Sequence, residues 1–237
     1  VNDSDVDSFY EENKVYFYSQ AYDKNSVSLV IVPTTNCNFE CPYCFEGKKQ
    51  PFKMTPDIED AIIDRLSKDE IVKNIHITWY GGEPLLAFDV MNSLCGKLKN
   101  LKGKTITGQD MVTNGYLVDD EEIAFINEAP LESVQITLDG RKERHDSLRC
   151  LRGSKKPTFD KIMRSIDRIK NECSKTKLSI RVNVDRGNME DFMEIYKMLV
   201  EPSSNSGLYV YPGFIRENAP DGCSLCFNSI DAGCAYS

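Results

Sequence analysis

The chain has 237 residues, 41% of them hydrophobic, which is enough to bury the core of one large domain or of one domain and part of another. Its formal net charge of −8 argues against duplex nucleic acid as the main partner. No apolar run approaches the roughly 20 residues of a membrane span, and no secretory signal is visible. The nine cysteines cluster at metal-ligand spacings, which indicates a reducing, cytoplasmic setting.

Apolar, β-rich runs alternate with helical patterns through most of the chain. Strands are predicted at 27–32, 75–80, 105–113, 133–138, 178–184 and 207–215. Five helices are predicted between them: one opened by Thr55-Pro56, one along 90–101, one at 123–126, one capped by Thr158, and one at 189–199. This alternation implies parallel strands with right-handed crossovers, and so predicts an α/β fold built as a partial (β/α)6, TIM-like barrel.

Two ends fall outside this rhythm. Residues 1–26 form an N-terminal extension that starts acidic, and its segment Val15-Tyr16-Phe17-Tyr18 predicts a short strand or hairpin. Residues 27–218 form the predicted barrel. Residues 219–237 are cysteine-rich, with Cys223, Cys226 and Cys234, and they are expected to begin a further region that is incomplete here.

Three cysteines, Cys37, Cys41 and Cys44, lie within eight residues just after the first predicted strand. A tight loop can aim three soft thiolates at one point, which suits zinc or an iron–sulfur cluster. Three ligands leave one position open. An open iron on a [4Fe–4S] cluster can bind a cofactor, whereas structural zinc sites use four protein ligands. A zinc loop that borrows a fourth ligand such as Cys95 is the alternative.

Further polar and glycine motifs follow the next strands, where barrel enzymes place their chemistry. Gly81-Gly82-Glu83-Pro84 follows the second strand, Thr113-Asn114-Gly115 the third, and Thr137-Leu138-Asp139-Gly140 the fourth, while Asn183 alternates with apolar residues in the fifth. Glycines let a ligand approach the backbone closely, and hydroxyl, amide and carboxylate groups can bind ribose or ammonium. Ordinary Asx or glycine turns are the alternative for each motif.

This set of motifs resembles the radical S-adenosylmethionine (radical SAM) enzymes. The likeness rests on the cysteine triplet, on Tyr43 before the third cysteine, on the preceding Thr34-Thr35-Asn36, and on the glycine motif that follows. With the threonine motifs, His145-Asp146 and Arg149, the chain is similar to peptide and protein maturases that carry a C-terminal SPASM or twitch domain, a subgroup that includes anaerobic sulfatase maturases. Thr137 departs mildly, because this subgroup more often has Ser there.

The resemblance implies a [4Fe–4S] cluster on Cys37, Cys41 and Cys44, with S-adenosylmethionine on its open iron. It implies that Tyr43 packs beside the cluster and adenine, and that either Arg149 or Arg152 pairs with the cofactor carboxylate. The remaining cofactor-binding residues that it implies are Gly81, Gly82, Glu83, Thr113, Asn114, Thr137, Asp139 and Asn183. It further implies auxiliary iron–sulfur ligation by Cys223, Cys226 and Cys234, with Cys234 favoured because Ala-Gly-Cys-Ala resembles a SPASM opening.

The implied activity is reductive cleavage of S-adenosylmethionine to a 5′-deoxyadenosyl radical, which oxidatively modifies a ribosomally made peptide through a thioether or carbon–carbon crosslink. The implied partners are a peptide or protein substrate with a leader sequence and a reductant such as flavodoxin or ferredoxin. An anaerobic sulfatase maturase that forms formylglycine is the alternative enzyme. A non-catalytic peptide-binding or zinc-stabilised scaffold is the alternative of another class. The sequence does not identify a general base.

Residues 141–170 hold eleven basic and four acidic side chains, an uneven distribution for an acidic chain. Such a stretch is either a solvated helix face or a docking surface for an acidic peptide. The two histidines are expected to be structural, His76 packed in a strand and His145 holding a loop together with Asp146.

Overall fold

The computed structural model describes residues 11, 13–15, 17–19, 22–44, 46, 50–129, 131–185, 187–200 and 207–214. Its strands are β1 (Ser26–Ile31), β2 (Asn74–Trp79), β3 (Thr105–Thr113), β4 (Leu131–Leu138), β5 (Lys177–Val184) and β6 (Leu208–Phe214). Its helices are α1 (Pro56–Lys68), α2 (Phe88–Lys99), α3 (Asp120–Glu128), α4 (Lys142–Leu148), α5 (Phe159–Glu172) and α6 (Met189–Val200), with a 3₁₀ turn at Pro84–Ala87 before α2.

The six strands form one sheet in the order β1-β2-β3-β4-β5-β6, and every neighbouring pair is parallel. Each strand is joined to the next by at least one helix. The predicted α/β fold with a partial, TIM-like barrel is therefore confirmed. The carboxyl ends of all six strands lie along one edge of the sheet, and the loops that carry the sequence motifs leave from that edge.

The sheet has two chemically different faces, because side chains alternate along each strand. On the outer face, Ile77 of β2 and Ile180 of β5 are fully buried in the same hydrophobic core as Leu94 of α2 and Ile162 of α5. We call the opposite side the inner face. Its residues include Thr78 and Arg181, which are half-buried.

Helix α4 was not predicted, since the segment was expected to be a loop held by His145 and Asp146. Within α4 only His145 is buried, so the helix has no apolar stripe to reveal it. Thr158 is the N-cap residue of α5, as predicted, but its hydroxyl donates to the Arg149 carbonyl at 2.7 Å instead of capping. Asp146 caps the helix in its place, accepting from the backbone N–H groups of Thr158 and Phe159 at 2.7 and 2.8 Å.

The strand predicted at Val15–Tyr18 is wrong for the described residues, because 13–15 and 17–19 are helical. Local contacts at helical spacing explain this. The Tyr22 N–H donates to the Tyr18 carbonyl at 3.0 Å, and the two rings stack with their centroids 5.8 Å apart. A strand would need a neighbour to pair with, whereas these contacts lie within one segment. In the described residues, no helix has the length and apolar character needed to cross a membrane.

Candidate active site

The cysteine loop, residues 33–44, lies at the carboxyl edge and is fastened on both sides. On one side the Thr35 N–H donates to the Phe52 carbonyl at 3.0 Å. On the other side the Arg152 N–H donates to the Asn38 carbonyl at 2.8 Å. The loop is therefore tied both to the segment before α1 and to the segment after α4.

The three cysteines of this loop have different exposure: Cys37 and Cys41 are half-buried, and Cys44 is exposed. The Phe39 N–H donates to the Cys37 sulfur at 3.4 Å, a contact that stabilises a thiolate. Burial raises the pKa of Cys37 and raises that of Cys41 to about 11, and the Cys44 charge makes a small contribution to both shifts.

The donor set of the loop fits an iron–sulfur cluster. The loop offers three thiolates, the donor set of a cubane cluster with one open iron, whereas structural zinc sites use four protein ligands. Zinc would need its ligands on a single ion, whereas each thiolate of a cubane cluster binds a different iron. Cys95, the fourth ligand considered for zinc, is buried and its thiol donates to the Gln109 side chain at 3.4 Å, outside the loop.

The glycine motif packs directly against the first residues of the cysteine loop. A Cβ on Gly82 would collide with the carbonyl oxygens of Thr35 and Asn36. Gly81 has a φ of +122°, and a Cβ there would lie 2.5 Å from the Thr34 oxygen. Both glycines are therefore required by close backbone approach, and the neighbour that imposes it is this protein's own loop.

Glu83 joins the ends of β2 and β3, and it is fully buried. Its carboxylate accepts from the Thr113 hydroxyl and the Asn114 N–H, both at 2.7 Å, and from the Leu85 N–H at 3.1 Å. Burial raises the pKa of Glu83, and these hydrogen bonds oppose the shift. The carboxylate therefore holds the turn after β2 against the turn after β3.

Asn114 connects the end of β3 to the cysteine loop. Its amide nitrogen donates to the Asn38 side chain at 2.7 Å and lies 3.9 Å from the Cys37 sulfur. Its side-chain oxygen accepts from the Tyr116 N–H at 2.9 Å, which closes an Asx turn. Thr113 takes part in the same turn, since its hydroxyl accepts from the Gly115 N–H at 3.0 Å.

A second polar cluster joins the cysteine loop to β4 and β5. The Tyr43 hydroxyl donates to Asp139, whose other carboxylate oxygen accepts from the Asn183 amide at 3.0 Å. The Arg149 guanidinium donates to the Tyr43 hydroxyl at 3.3 Å and lies 3.9 Å from Asp139. Four of the predicted cofactor-binding residues thus meet at one place beside the cysteines.

The charges in this cluster follow from its burial. Burial raises the pKa of Tyr43, and the Asp139 charge raises it further, so the hydroxyl keeps its proton and donates. Burial also raises the pKa of Asp139, while Arg149 opposes that shift. The Arg149 cation lies over the Phe39 ring, 5.5 Å from its centroid, and faces the cysteine loop.

His145 was predicted to be structural, and its contacts agree. Its Nδ1 accepts from the Asp139 N–H at 3.3 Å, and its Nε2 lies 3.1 Å from the Thr158 hydroxyl. His145 and Arg149 are four residues apart, so helix α4 places both side chains on the same side, facing this cluster. This spacing is a local signal that could have linked the two residues from sequence. Burial lowers the pKa of His145 to about 3, which keeps the ring neutral.

Two of the residues predicted to bind the cofactor make no side-chain contact with these polar clusters. Thr137 is half-buried on the inner face and makes no side-chain hydrogen bond to any described residue. Arg152 is exposed and contacts the loop through its backbone. Of the two arginines considered for the cofactor carboxylate, Arg149 is the one whose side chain reaches the site. Cys223, Cys226 and Cys234 lie outside the described residues.

Most cations of the basic stretch at 141–170 face acidic groups of the chain itself. The pairs are Arg141 with Asp191 and Glu194, Lys142 with Asp160, Arg144 with Asp185, Arg149 with Asp139, Lys155 with Glu40, Lys161 with Asp119, and Arg168 with Asp120 and Glu172. Internal pairing therefore accounts for much of the uneven charge, and the docking of an acidic peptide on this stretch loses support.

Comparison with known proteins places this geometry in a family. Residues 31–199 match the Radical SAM superfamily. The chain is 31% identical over 182 residues to the cysteine-type anaerobic sulfatase-maturating enzyme of Clostridium novyi (strain NT), covering 73% of this chain and 47% of that enzyme. It therefore spans about half the length of this relative.

Two solved structures share the fold. Native anSMEcpe with bound AdoMet and Kp18Cys peptide aligns with a TM-score of 0.72 at 23% identity, covering 87% of this chain and 57% of that chain. Streptococcus suis SuiB bound to precursor peptide SuiA aligns with a TM-score of 0.57 at 18% identity, covering 90% and 45%. Since the superfamily match spans more than half of the sequence, the chain belongs to the radical SAM superfamily. Membership implies a [4Fe–4S] cluster and S-adenosylmethionine.

Proposed function

We propose that this radical SAM chain is the barrel of a peptide or protein maturase. In this proposal the protein cleaves S-adenosylmethionine reductively and oxidises a side chain of a peptide. The observation that carries the proposal is the fastened loop with Cys37, Cys41 and Cys44, held at the carboxyl edge beside a buried cluster of polar side chains. The fold shared with proteins solved with peptides supports a peptide as the substrate.

Each group of residues has a role in this proposal. The three cysteines hold the cluster, which when bound supplies the electron that cleaves the cofactor. Asn114 orients the Cys37 sulfur through its amide, 3.9 Å away. Tyr43, Asp139, Arg149 and Asn183 present donors, acceptors and one cation toward the ammonium, carboxylate and ribose groups of S-adenosylmethionine, with Thr137 beside them.

The proposed reaction is a thioether or carbon–carbon crosslink. For a thioether, the substrate carbon loses a hydrogen atom to the cofactor-derived radical, the substrate thiol loses a proton, and a C–S bond forms. The remaining electron passes to an auxiliary iron–sulfur cluster, which we assign to Cys223, Cys226 and Cys234. A flavodoxin or ferredoxin supplies the first electron, and a leader sequence on the peptide aids its capture.

Formylglycine formation is the second candidate. It is favoured by the 31% identity to a sulfatase-maturating enzyme and by the higher of the two TM-scores. Here the peptide carbon beside the thiol or hydroxyl loses a hydrogen atom to the cofactor-derived radical, the thiol or hydroxyl loses a proton, and one electron passes to the auxiliary cluster. A serine gives the aldehyde directly, whereas a cysteine gives a thioaldehyde that water hydrolyses with release of hydrogen sulfide. The product is then an aldehyde instead of a crosslink.

Metal analysis provides the first test. Anaerobically reconstituted protein is expected to bind about four irons and four sulfides at the cysteine loop, and any auxiliary cluster would add to this. Cys37→Ala should abolish formation of 5′-deoxyadenosine from S-adenosylmethionine with dithionite, while Cys173→Ala, on a buried cysteine outside the loop, should retain it. Stoichiometric zinc without sulfide would sink the proposal and favour the scaffold.

Product analysis separates the two reactions. A peptide with one cysteine, deuterated at neighbouring carbons, is incubated with the reduced protein and S-adenosylmethionine. A crosslink at a deuterated carbon lowers the mass by one deuterium and one hydrogen atom. A thioether also blocks thiol alkylation, whereas a carbon–carbon crosslink leaves the thiol free. Formylglycine instead loses the sulfur and reacts with a hydrazide. Deuterium in 5′-deoxyadenosine identifies the carbon that was attacked.

A further inference from the structure

The inner face of the sheet carries polar groups that mostly satisfy one another. The His76 ring lies 3.3 Å from Asp110, which also accepts from the Ser133 hydroxyl at 2.5 Å. The Tyr211 hydroxyl donates to the Gln135 side chain at 2.5 Å. A polar, half-exposed surface of this kind can take up a polar ligand such as a peptide.

Arg181 is the exception on this face. It stands in β5 two residues before Asn183, on the same side of the strand. Its Nε is buried without a hydrogen-bond partner, and among the described residues no carboxylate lies within ion-pair distance of its guanidinium. Arg149 and Arg144 also have an unpartnered Nε, but each of them faces a carboxylate, Asp139 and Asp185 respectively.

The position of Arg181 depends on a glycine in the neighbouring strand. β5 and β6 are in register with Asn183 opposite Gly213, and a Cβ on Gly213 would collide with Nε of Arg181. The arginine therefore lies across Gly213, toward the carboxyl edge. Any larger residue at 213 would displace it.

Tyr80 follows β2 and responds to the same charges. Burial raises the pKa of Tyr80, the charge of Glu46 adds to that shift, the charge of Arg181 opposes it, and the charge of Cys44 adds a smaller increase. Burial raises the pKa of Tyr211 as well, again opposed by Arg181. In the β5–β6 register Arg181 lies opposite Tyr211, so the cation stands beside a tyrosine as well as across Gly213.

The buried Nε–H of Arg181 has no acceptor, so the cost of its desolvation is uncompensated. Its planar fork is suited to a carboxylate, which it can bind through two hydrogen bonds. The carboxylate could come from the cofactor or from the peptide. Arg149 already places a cation at the cysteine loop, so Arg181, farther along the inner face, is the one left for the peptide.

We infer that Arg181, seated on Gly213, binds a carboxylate of the peptide substrate and so selects substrates with an acidic residue close to the modified position. This inference rests on the proposed function. It names the substrate class, an acidic peptide segment, and identifies Arg181 as the side chain that recognises it.

The test uses two fluorescein-labelled peptide pools with a fixed central cysteine, one flanked by Asp and Glu and the other by Asn and Gln. Binding to the reconstituted protein with S-adenosylmethionine is followed by polarisation. We expect the acidic pool to bind about tenfold more tightly, the size of one charge-assisted pair. Arg181→Gln should remove this preference, and Gly213→Ala should weaken it although the charge is retained.

Arg164→Gln is the matched control, because it removes one exposed positive charge from α5 and should leave the preference unchanged. The affinity for S-adenosylmethionine is measured by calorimetry in each variant and should also be unchanged. A parent protein that binds both pools equally or not at all would overturn the inference. So would an Arg181→Gln variant that loses cofactor affinity but keeps the preference, since the cation would then serve the cofactor carboxylate.

Failure of the inference can be told apart from failure of the proposed function. Cleavage of S-adenosylmethionine by the reduced parent protein, measured without peptide, reports the function alone. A parent that cleaves the cofactor but does not distinguish the pools refutes the role of Arg181 and leaves the radical chemistry standing.

Discussion

The outer face of the sheet and its carboxyl edge are both buried, but they are buried by different chemistry. On the outer face the fully buried side chains are apolar, such as Ile77 and Ile180. At the carboxyl edge they include Glu83, Asp139 and His145, each of which has hydrogen-bond partners. Burial therefore stabilises the first region through the hydrophobic effect, whereas the second is stable only while its polar groups remain paired.

The largest expected effect tests the apolar side of this comparison. Ile180→Ala removes a fully buried side chain from the outer face and should lower the free energy of unfolding by about 2–5 kcal/mol. Ser179→Ala, one position away on the inner face, should change it by less than about 0.5 kcal/mol. Urea unfolding of both variants provides the measurement. Equal losses would mean that the two faces do not differ as described.

The second prediction concerns the carboxyl edge itself. Gly82→Ala places a Cβ against the carbonyls of Thr35 and Asn36, which should displace the cysteine loop and cost about 1–3 kcal/mol. Iron and sulfide incorporation should fall together with stability. Gly96→Ala in α2 is the matched control, since a Cβ there meets nothing within 4 Å and should stabilise the helix by about 1 kcal/mol. Full cluster content in the Gly82 variant would show that the loop tolerates the displacement.

The sequence predicted the outer face well, because apolar periodicity is a local signal. β3 begins and ends at the predicted residues, Thr105 and Thr113. Helix α4 was missed since its single buried residue, His145, produces no periodic pattern. At the N-terminal end, Val15 and Phe17 predicted a strand because their residue types favour strands. A strand also requires a neighbouring strand, whereas contacts at helical spacing within one segment stabilise a helix.

At the carboxyl edge the sequence identified the residue types but not their contacts. Cys37, Cys41 and Cys44 could be singled out because their spacing is local. The pairing of Tyr43 with Asp139 joins residues 96 positions apart and depends on how the cysteine loop lies over the end of β4. The seat of Arg181 on Gly213 depends on the register between β5 and β6, which no local pattern specifies.

A third prediction uses pH to probe the polar region. Burial lowers the pKa of His145 to about 3, below its ordinary 6.5, so the unfolded chain binds this proton more readily. The contribution of neutral His145 to the free energy of unfolding is therefore complete above pH 6.5 and is lost as the pH falls toward 3. Between pH 6.5 and 5 it should decline by about 2 kcal/mol.

Buried Asp139 and Glu83 have raised pKa values and change stability in the opposite direction, so the His145 contribution is read as a difference. The free energy of unfolding is measured against pH for the parent and for His145→Gln, in which position 145 cannot titrate. The gap between the two curves should narrow as the pH falls below 6.5. A constant gap would show that His145 takes up its proton without cost, contrary to its buried setting.

The smallest expected effect concerns the junction between the carboxyl edge and helix α5, which packs on the outer face. Asp146 of α4 accepts from the N–H groups of Thr158 and Phe159, which begin α5. Asp146→Ala removes this cap and should lower the free energy of unfolding by about 1 kcal/mol. Asp146→Asn keeps an acceptor oxygen and should recover most of that loss.

Thr158→Val removes a hydroxyl that donates to the Arg149 carbonyl and does not cap the helix. This variant should therefore perturb the carboxyl edge, and calorimetry should show a changed affinity for S-adenosylmethionine. If the asparagine variant is as unstable as the alanine variant, the negative charge at the start of α5 matters more than the hydrogen bonds, and the junction between the two regions is electrostatic.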